Sequence, residues 1–218
     1  MKIGIFGGTF NPIHYGHLRA AEEVREKAEL DKILFIPAGN PPLKTEDIAD
    51  AAHRYEMVRL AIADNRFFEL SDIECRSAGK SYTVNTIEEL KRVHFGSDFF
   101  FILGIDAFLD LPNWRQPEML AALSNFVIIS RPDFRFSGLV ESPYLEINAG
   151  DLKDIDNSGA EEYKTKLKSK KDALLLKLTD MDISSTEIRR LIKQDKSIKY
   201  LLPPGVQFYI ITNGLYRS

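Results

Sequence analysis

Cysteine and tryptophan are nearly absent from this 218-residue chain, which contains one of each, Cys75 and Trp114. A single cysteine excludes an internal disulfide framework and a metal site built from several thiolates. We expect the Cys75 thiol to be buried and inert. The sequence lacks any run of about 18 apolar residues, and it opens without the basic segment and apolar core of a secretory signal. We therefore expect a cytoplasmic protein that binds no membrane.

Positive and negative charges are nearly balanced. The chain carries 29 Lys and Arg residues against 32 Asp and Glu residues, a formal net charge of -3. This balance gives no general attraction to nucleic acid, so we expect no nucleic-acid partner and only local phosphate binding. Hydrophobic residues make up 44% of the chain, which is typical of a folded globular protein. The sequence leaves open whether the chain forms a homo-oligomer.

Continuous apolar runs alternate with helical patterns over the first part of the chain. The runs are KIGIF, KILFIPA, DFFFILG and NFVIISR. Strands that are apolar on both faces and alternate with amphipathic helices are typical of a parallel sheet covered on both sides. The sequence therefore predicts an α/β fold, a Rossmann-like doubly wound parallel sheet, with ligands bound at the carboxyl ends of its strands.

The later part of the chain has a less regular pattern. Residues 133–171 are rich in Asp, Lys, Ser and Gly, and we interpret them as a variable connection or the edge of a subdomain, partly mobile. After them, ALLLKLTDMDI predicts a strand and SSTEIRRLIKQ a helix, while PPGVQFYIITNGLY predicts a helix that begins at its prolines and stops at Gly214. The length predicts one domain over 1–218, with a small helical C-terminal part over 183–218.

The stretch GGTFNPIHYGH follows the first strand and contains two of the four histidines. Gly7 and Gly8 at the end of the first strand allow positive φ and let a ligand approach the backbone. Pro12 favours an early helix start, which would put His14 and His17 on one face of the first turn. Backbone N–H groups, the helix dipole and two imidazoles would then converge on a polyphosphate. Alternatively, both histidines only cap the helix or pack against the sheet.

GTFNPIHYGH resembles the H-x-G-H signature of the nucleotidyltransferase superfamily, and its surroundings resemble the bacterial nicotinate-nucleotide adenylyltransferases of NAD biosynthesis. ISSTEIR resembles the family's second nucleotide-binding motif, where serine hydroxyls and helix N–H groups can hold phosphates, although either serine could be only an N-cap. The resemblance implies that His14 and His17 are catalytic and that ATP is bound by Gly7, Gly8, Thr9, Phe10, Gly16, Ile183, Ser184, Ser185 and Arg189.

Three further segments resemble the substrate-binding regions of this family. SYTVNT resembles the segment that meets the nicotinate carboxylate, LGIDAFLDLPNW the stretch that supplies an aspartate and an aromatic ring, and PAGNPPLK a phosphate-contacting loop. In that loop Leu43 stands where the family often has histidine. An indole face suits an electron-poor ring, although a lone tryptophan is also a common packing anchor. The resemblance implies substrate binding by Asn40, Lys44, Tyr82, Thr83, Asp106 and Trp114.

The resemblance implies an enzyme that transfers the adenylyl group of ATP to nicotinate mononucleotide, giving deamido-NAD and pyrophosphate. In-line attack by the substrate phosphate needs no covalent enzyme intermediate, so positioning and charge neutralisation would carry catalysis. Mg²⁺ would arrive with ATP, because no carboxylate cluster predicts a dedicated metal site. The alternatives are an adenylyltransferase for nicotinamide mononucleotide or phosphopantetheine, an inactive nucleotide-binding protein, and an aminoacyl-tRNA synthetase fragment, which the absence of a KMSKS-like motif disfavours.

Overall fold

The computed structural model describes residues 1–41, 47–77, 79–157 and 160–217. The strands in this part of the chain are β1 (Lys2–Gly8), β2 (Lys32–Pro37), β3 (Phe68–Leu70), β4 (Asp98–Gly104), β5 (Asn125–Ile129), β6 (Leu145–Glu146), β7 (Glu162–Leu167) and β8 (Asp172–Leu176). The α-helices are α1 (Tyr15–Lys27), α2 (Ala51–Ala61), α3 (Thr83–Val93), α4 (Ile105–Leu109), α5 (Pro117–Leu123), α6 (Ala149–Asn157), α7 (Ser185–Lys193) and α8 (Pro204–Thr212). Short 3₁₀ helices span Leu111–Asn113 and Phe136–Glu141.

The strands form one sheet with the order β3-β2-β1-β4-β5-β8-β7-β6. The six strands from β3 to β8 in this order pair in parallel, while β7 and β6 complete one edge in antiparallel pairing. The chain leaves β1 toward β2 on one side and later returns to β4 on the other. Such a reversal opens a crevice at the carboxyl ends of β1 and β4, where ligands bind in doubly wound sheets.

Both faces of the central strands are buried, as the continuous apolar runs predicted. Along β2, Leu34 and Ile36 pack into one hydrophobic cluster, and Ile33 and Phe35 pack into the cluster on the opposite face. The four predicted strand runs correspond to β1, β2, β4 and β5, whereas the three-residue β3 was not predicted. The predicted α/β class, a Rossmann-like doubly wound sheet, is confirmed.

The segment 133–171 is more regular than its polar composition predicted. It contains the 3₁₀ helix Phe136–Glu141 together with β6, α6 and β7. Its buried side chains include Leu139 and Leu152, which are fully buried and belong to the same hydrophobic cluster as the central strands. We therefore correct its interpretation as a mere connection, because these short apolar pieces pack the described part of the segment onto the sheet. Its variability among relatives stays a prediction.

Two details of the helices follow from local sequence. The prediction that α8 begins at prolines and that the chain turns at Gly214 is confirmed, since Pro204 opens α8 and Gly214 has φ +62°. The side chain of Glu23 in α1 is buried. Its carboxylate accepts hydrogen bonds from the N–H of Thr179 (3.0 Å) and from Nε of Arg19 (2.7 Å). No helix in the described ranges combines the length and hydropathy of a membrane span.

Candidate nucleotide-binding site

The positive φ that Gly7 and Gly8 allow is not used at the end of β1. Gly7 and Gly8 are still part of β1, paired with β2, and neither has positive φ; the left-handed residue is Phe10, with φ +47°. Gly8 leaves room for the ring of Phe10, which folds back against the strand, since a Cβ there would lie 3.0 Å from this ring. At Gly7 a Cβ would approach only the Phe101 ring, at 4.0 Å, so the strand end is open on that face.

The two histidines flank the start of α1. His14 is the N-cap residue and Tyr15 opens the helix, so the prediction that Pro12 begins the helix was wrong. Pro12 instead lies in the turn that precedes α1. The imidazoles of His14 and His17 stack with their centroids 3.7 Å apart. The N–H of His14 donates to Nδ1 of His17 over 3.3 Å, and this bond assigns the proton of a neutral His17 to Nε2.

His14 is a neutral group at pH 7. Only 5% of its surface is exposed, and burial together with the charge of Arg131 lowers its pKa from 6.5 to about 4. Nδ1 of His14 has no hydrogen-bond partner among the described residues. Gly16 lies against this ring, since a Cβ at Gly16 would be 3.1 Å from Nδ1. The site can therefore offer a ligand the hydrogen bonds of a buried imidazole without adding a charge.

The serines of the second motif have structural partners. Ser184 is the N-cap of α7, and its Oγ accepts the N–H of Glu187 at 3.1 Å, as the N-cap alternative predicted. Ser185 Oγ donates to the carbonyl of Pro12 over 2.8 Å, although the two residues are 173 positions apart. This bond brings the start of α7 beside the turn after β1. Contact of either serine with phosphate stays a prediction.

Arg189 makes a second link between the two motifs. Its Nη1 donates to the carbonyl of Asn11 at 2.9 Å, while its buried Nε has no partner among the described residues. Ile183 also meets the first motif, because a Cβ at Gly16 would lie 3.5 Å from the carbonyl oxygen of Ile183. The structure thus assembles the two distant motifs into one site that has buried, unsatisfied donors.

A pocket of about 380 Å³ opens at the ends of β1 and β2, with Phe101 of β4 in its lining. Predicted site residues that line it are Gly7, Gly8, Thr9, Tyr82, Thr83 and Trp114. The lining also includes side chains that were not predicted, among them Glu74, Ser81, Thr86, Asn113 and Arg115. Segments separated by as many as a hundred positions in sequence therefore share one cavity that adjoins the turn before His14.

Trp114 is held in this pocket by Asp110. Its Nε1 donates to Oδ2 of Asp110 at 3.2 Å, and the other carboxylate oxygen accepts from Nδ2 of Asn113 at 2.8 Å. The indole edge packs against Phe101, with centroids 6.1 Å apart and an interplanar angle of 69°. The orientation of the indole is therefore fixed before any ligand arrives.

The start of α3 forms the facing wall. Tyr82 is the N-cap residue of α3 and makes no side-chain capping bond. Ser81 Oγ accepts the N–H groups of Gly39 (3.1 Å) and Asn40 (3.2 Å), and its own N–H donates to the carbonyl of Asn40 (3.0 Å). These bonds fix Asn40 beside the pocket, outside its lining. They tie the end of β2 to the N-terminus of α3.

Two predicted substrate residues lie elsewhere. Asp106 stands in the first turn of α4, and its Oδ1 is 3.7 Å from Nε of Arg131 in an ion pair that lies outside the pocket lining. Lys44, with the neighbouring Leu43, lies outside the described residues. The thiol of Cys75 is half-buried and contacts the carbonyl of Pro37 at 3.5 Å, and burial raises its pKa, which agrees with an inert role.

Known proteins resemble this chain in sequence and in fold. The cytidylyltransferase-like family model matches residues 5–191. A Geotalea daltonii protein named "probable nicotinate-nucleotide adenylyltransferase" is 43% identical over 219 residues, covering 100% of this chain and 99% of the relative. A Desulfitobacterium hafniense protein of the same name is 42% identical over 217 residues, covering 99% and 96%. The chain belongs to the nicotinate-nucleotide adenylyltransferase family.

Solved structures agree with this assignment at the level of the fold. The nicotinic acid mononucleotide adenylyltransferase of Plasmodium falciparum, complexed with NaAD, superposes with a TM-score of 0.74 at 23% identity and covers 99% of this chain and 97% of its own. The same protein complexed with APC gives a TM-score of 0.72 at 22% identity, with 99% and 96% coverage. The family and the nucleotidyltransferase class predicted from the H-x-G-H motif are confirmed.

The largest buried side chain that the sequence did not predict is that of Arg54 in α2. Its side chain is fully buried and donates to four main-chain carbonyls, those of Ala38, Ala49 (2.9 Å), Thr9 (3.0 Å) and Gly39 (3.0 Å). It therefore joins the ends of β1 and β2 beneath the pocket. An arginine in an amphipathic helix gives no sequence signal of burial, because the same pattern is typical of a solvated face.

Two other polar residues near the site, Glu74 and Arg131, were also not predicted. Glu74 lines the pocket, and its Oε1 accepts from Oγ1 of Thr86 at 2.7 Å. Burial raises the pKa of Glu74. Arg131 follows the end of β5, and its position in NFVIISR could have identified it, since charged residues just after a parallel strand lie at the ligand edge of the sheet.

Proposed function

We propose that this chain transfers the adenylyl group of ATP to nicotinate mononucleotide, giving deamido-NAD and pyrophosphate in NAD biosynthesis. The observation that carries the proposal is the junction of two features at one sheet edge. These are the paired imidazoles of His14 and His17, and a pocket walled by Trp114 and the N-terminus of α3. The first suits a triphosphate, and the second suits a flat ring that bears an anionic group.

The pocket would hold the acceptor. The pyridine ring would stack on Trp114, and its carboxylate would accept N–H groups from the start of α3 at Tyr82 and Thr83. Asp106 would accept a ribose hydroxyl, and Asn40 and Lys44 would contact the phosphate. Support for the acceptor side is the fixed indole and the uncapped first turn of α3.

The two motifs would hold ATP. The positive end of α1 and the imidazoles would meet the phosphates, aided by Arg189, whose buried Nε has no partner among the described residues. The ATP site would be completed by Gly7, Gly8, Thr9, Phe10, Gly16, Ile183, Ser184 and Ser185. A buried donor without a protein partner costs free energy, so it supports a ligand acceptor at this point.

The reaction proposed is an in-line displacement. An oxygen of the acceptor 5′-phosphate forms a bond to the α-phosphorus of ATP while the bond from that phosphorus to the bridging oxygen breaks. Pyrophosphate leaves with the electron pair. Neutral His14 and Nε2–H of His17 would stabilise the charge that develops on the phosphate oxygens, and no covalent enzyme intermediate forms. ATP would enter as its Mg²⁺ complex, with the ion held mainly by phosphates.

The test is pyrophosphate release by the purified protein with Mg-ATP and one acceptor at a time. Nicotinate mononucleotide, nicotinamide mononucleotide and phosphopantetheine are compared at equal concentrations. Marked preference for the first supports both the reaction and the acceptor pocket. Turnover with another acceptor alone would refute the roles of Tyr82, Thr83 and Trp114, and no turnover with any would refute the reaction. A cytoplasmic location and the absence of nucleic-acid and membrane partners belong to the same proposal.

A further inference from the structure

Arg115 is the only lysine or arginine among the described residues that line the acceptor pocket. It follows Trp114 directly and is exposed at the rim of the cavity. Its guanidinium carbon lies 4.7 Å from the ring centroid of Tyr82, so the two residues face each other from the Trp114 segment and the start of α3. In the described part of the chain, this ring is the one recorded partner of the guanidinium. Its N–H donors are therefore available to a ligand.

The stacking on Tyr82 holds this cation next to the N-terminus of α3. Arg–aromatic contacts of this kind restrict the side chain while leaving the edge of the guanidinium open for hydrogen bonds. The first-turn N–H groups of α3 and the guanidinium thus flank the same end of the pocket. A group bound there meets two sources of positive potential, one from the backbone and one from the side chain.

Backbone donors alone discriminate poorly between an acid and its amide. A carboxamide also presents a carbonyl oxygen that accepts an N–H, so the start of α3 can bind either group. A guanidinium gains a charge-assisted pair only with the carboxylate. Glu74, the lining residue with a carboxyl group, cannot provide this gain, and its Oε1 accepts from Oγ1 of Thr86.

We propose that Arg115 is a specificity-determining residue that makes the pocket prefer a pyridine carboxylate to a pyridine carboxamide. This inference rests on the proposed function and adds the group that selects the acid. Because Arg115 is at a solvent-exposed rim, its effect is smaller than that of a buried ion pair. We expect a contribution of about tenfold to the preference, the lower part of the range for hydrogen bonds to charged groups.

The experiment compares kcat/KM for nicotinate mononucleotide and nicotinamide mononucleotide in the unmodified protein and in Arg115→Gln and Arg115→Lys. Arg115→Gln should lower the acid-to-amide ratio about tenfold, through a higher KM for the acid, with KM for ATP and kcat unchanged. The acid-to-amide ratio of Arg115→Lys should lie between those of the unmodified protein and Arg115→Gln, because lysine keeps the charge without the planar fork. Arg92→Gln, an exposed arginine at the other end of α3, is the matched control and should leave the ratio unchanged.

Ionic strength provides a second measurement. KM for the acid should rise with salt in the unmodified protein and less steeply in Arg115→Gln, because screening weakens an exposed ion pair. An unchanged ratio in Arg115→Gln, or equal losses with both acceptors, would overturn the inference and leave the proposed function standing. If the unmodified protein fails to use nicotinate mononucleotide at all, the proposed function fails, and the inference with it.

Discussion

The main-chain N–H of His14 and Nδ1 of His17 form a hydrogen bond of 3.3 Å, while the two rings stack at 3.7 Å. The bond uses Nδ1 of His17 as an acceptor and so leaves its ring proton on Nε2. One histidine therefore sets the tautomer of the other. In the proposed reaction this makes Nε2–H of His17 a donor aimed by the backbone rather than by solvent.

Replacement of His17 by alanine should lower kcat by about 10² to 10³, the usual effect of removing one donor that acts in the transition state. The overall fold should persist, because the Nδ1 bond and the ring contacts with Phe6, Phe10 and His14 all lie near the helix start. Steady-state pyrophosphate release and circular dichroism measure the two effects. His94→Ala is the control, since His94 ends α3 away from the pocket; turnover near normal in His17→Ala would disprove the role.

The pKa of His14 predicts how stability depends on pH. Because this pKa is about 4 in the folded protein and 6.5 in the reference state, the unfolded chain binds more protons between these values. The free energy of unfolding should therefore fall as pH decreases from about 6.5 to 4, by about 3 kcal/mol in total from this residue. Urea unfolding of His14→Gln should show a shallower dependence in that window. Identical slopes in the two proteins would contradict the prediction.

Asp110 should act as a positioning residue for Trp114. Asp110→Ala removes the acceptor of the indole N–H, so the ring should lose its fixed orientation. One hydrogen bond of about 1 kcal/mol predicts a roughly fivefold higher KM for nicotinate mononucleotide, with KM for ATP unchanged. In a Trp114→Phe background, Asp110→Ala should have little further effect, because the two changes remove the same interaction. Additive effects would show that Asp110 acts elsewhere.

Arg54 should be a major contributor to stability. Arg54→Leu leaves four partly buried carbonyls without their donor, and an unsatisfied group costs about 1 to 3 kcal/mol when it is fully buried. We expect a loss above about 3 kcal/mol in urea unfolding. Arg54→Lys keeps the charge but cannot reach all the carbonyls, so its loss should be smaller. Arg59→Leu, which replaces an exposed arginine on the same helix, should change stability far less than Arg54→Leu does.

The strand pattern was readable because burial on both faces leaves a continuous apolar run, as in KILFIP of β2. What the sequence could not supply were conformations decided by tertiary contacts. Phe10 takes the left-handed conformation because its ring packs among Phe6, Phe35 and His17, which a local preference for glycine cannot anticipate. Pro12 was predicted to start a helix from its local preference alone, but tertiary contacts place it in a turn instead.

The candidate site was predictable to the extent that it follows motifs. The H-x-G-H and ISSTEIR stretches meet in the structure, and Tyr82, Thr83 and Trp114 share a pocket. Residues that support the site without lining the pocket, such as Arg54, were not predicted. Their partners are main-chain carbonyls, which every residue type carries, so no sequence pattern identifies them.

The bonds from Ser185 to Pro12 and from Arg189 to Asn11 span 173 and 178 positions, and the hydroxyl of Tyr216 reaches Oδ1 of Asn11 across 205. The turn that leads to His14 is therefore held by three groups from the far end of this sequence. The site is complete only when these two distant parts of the chain are packed together.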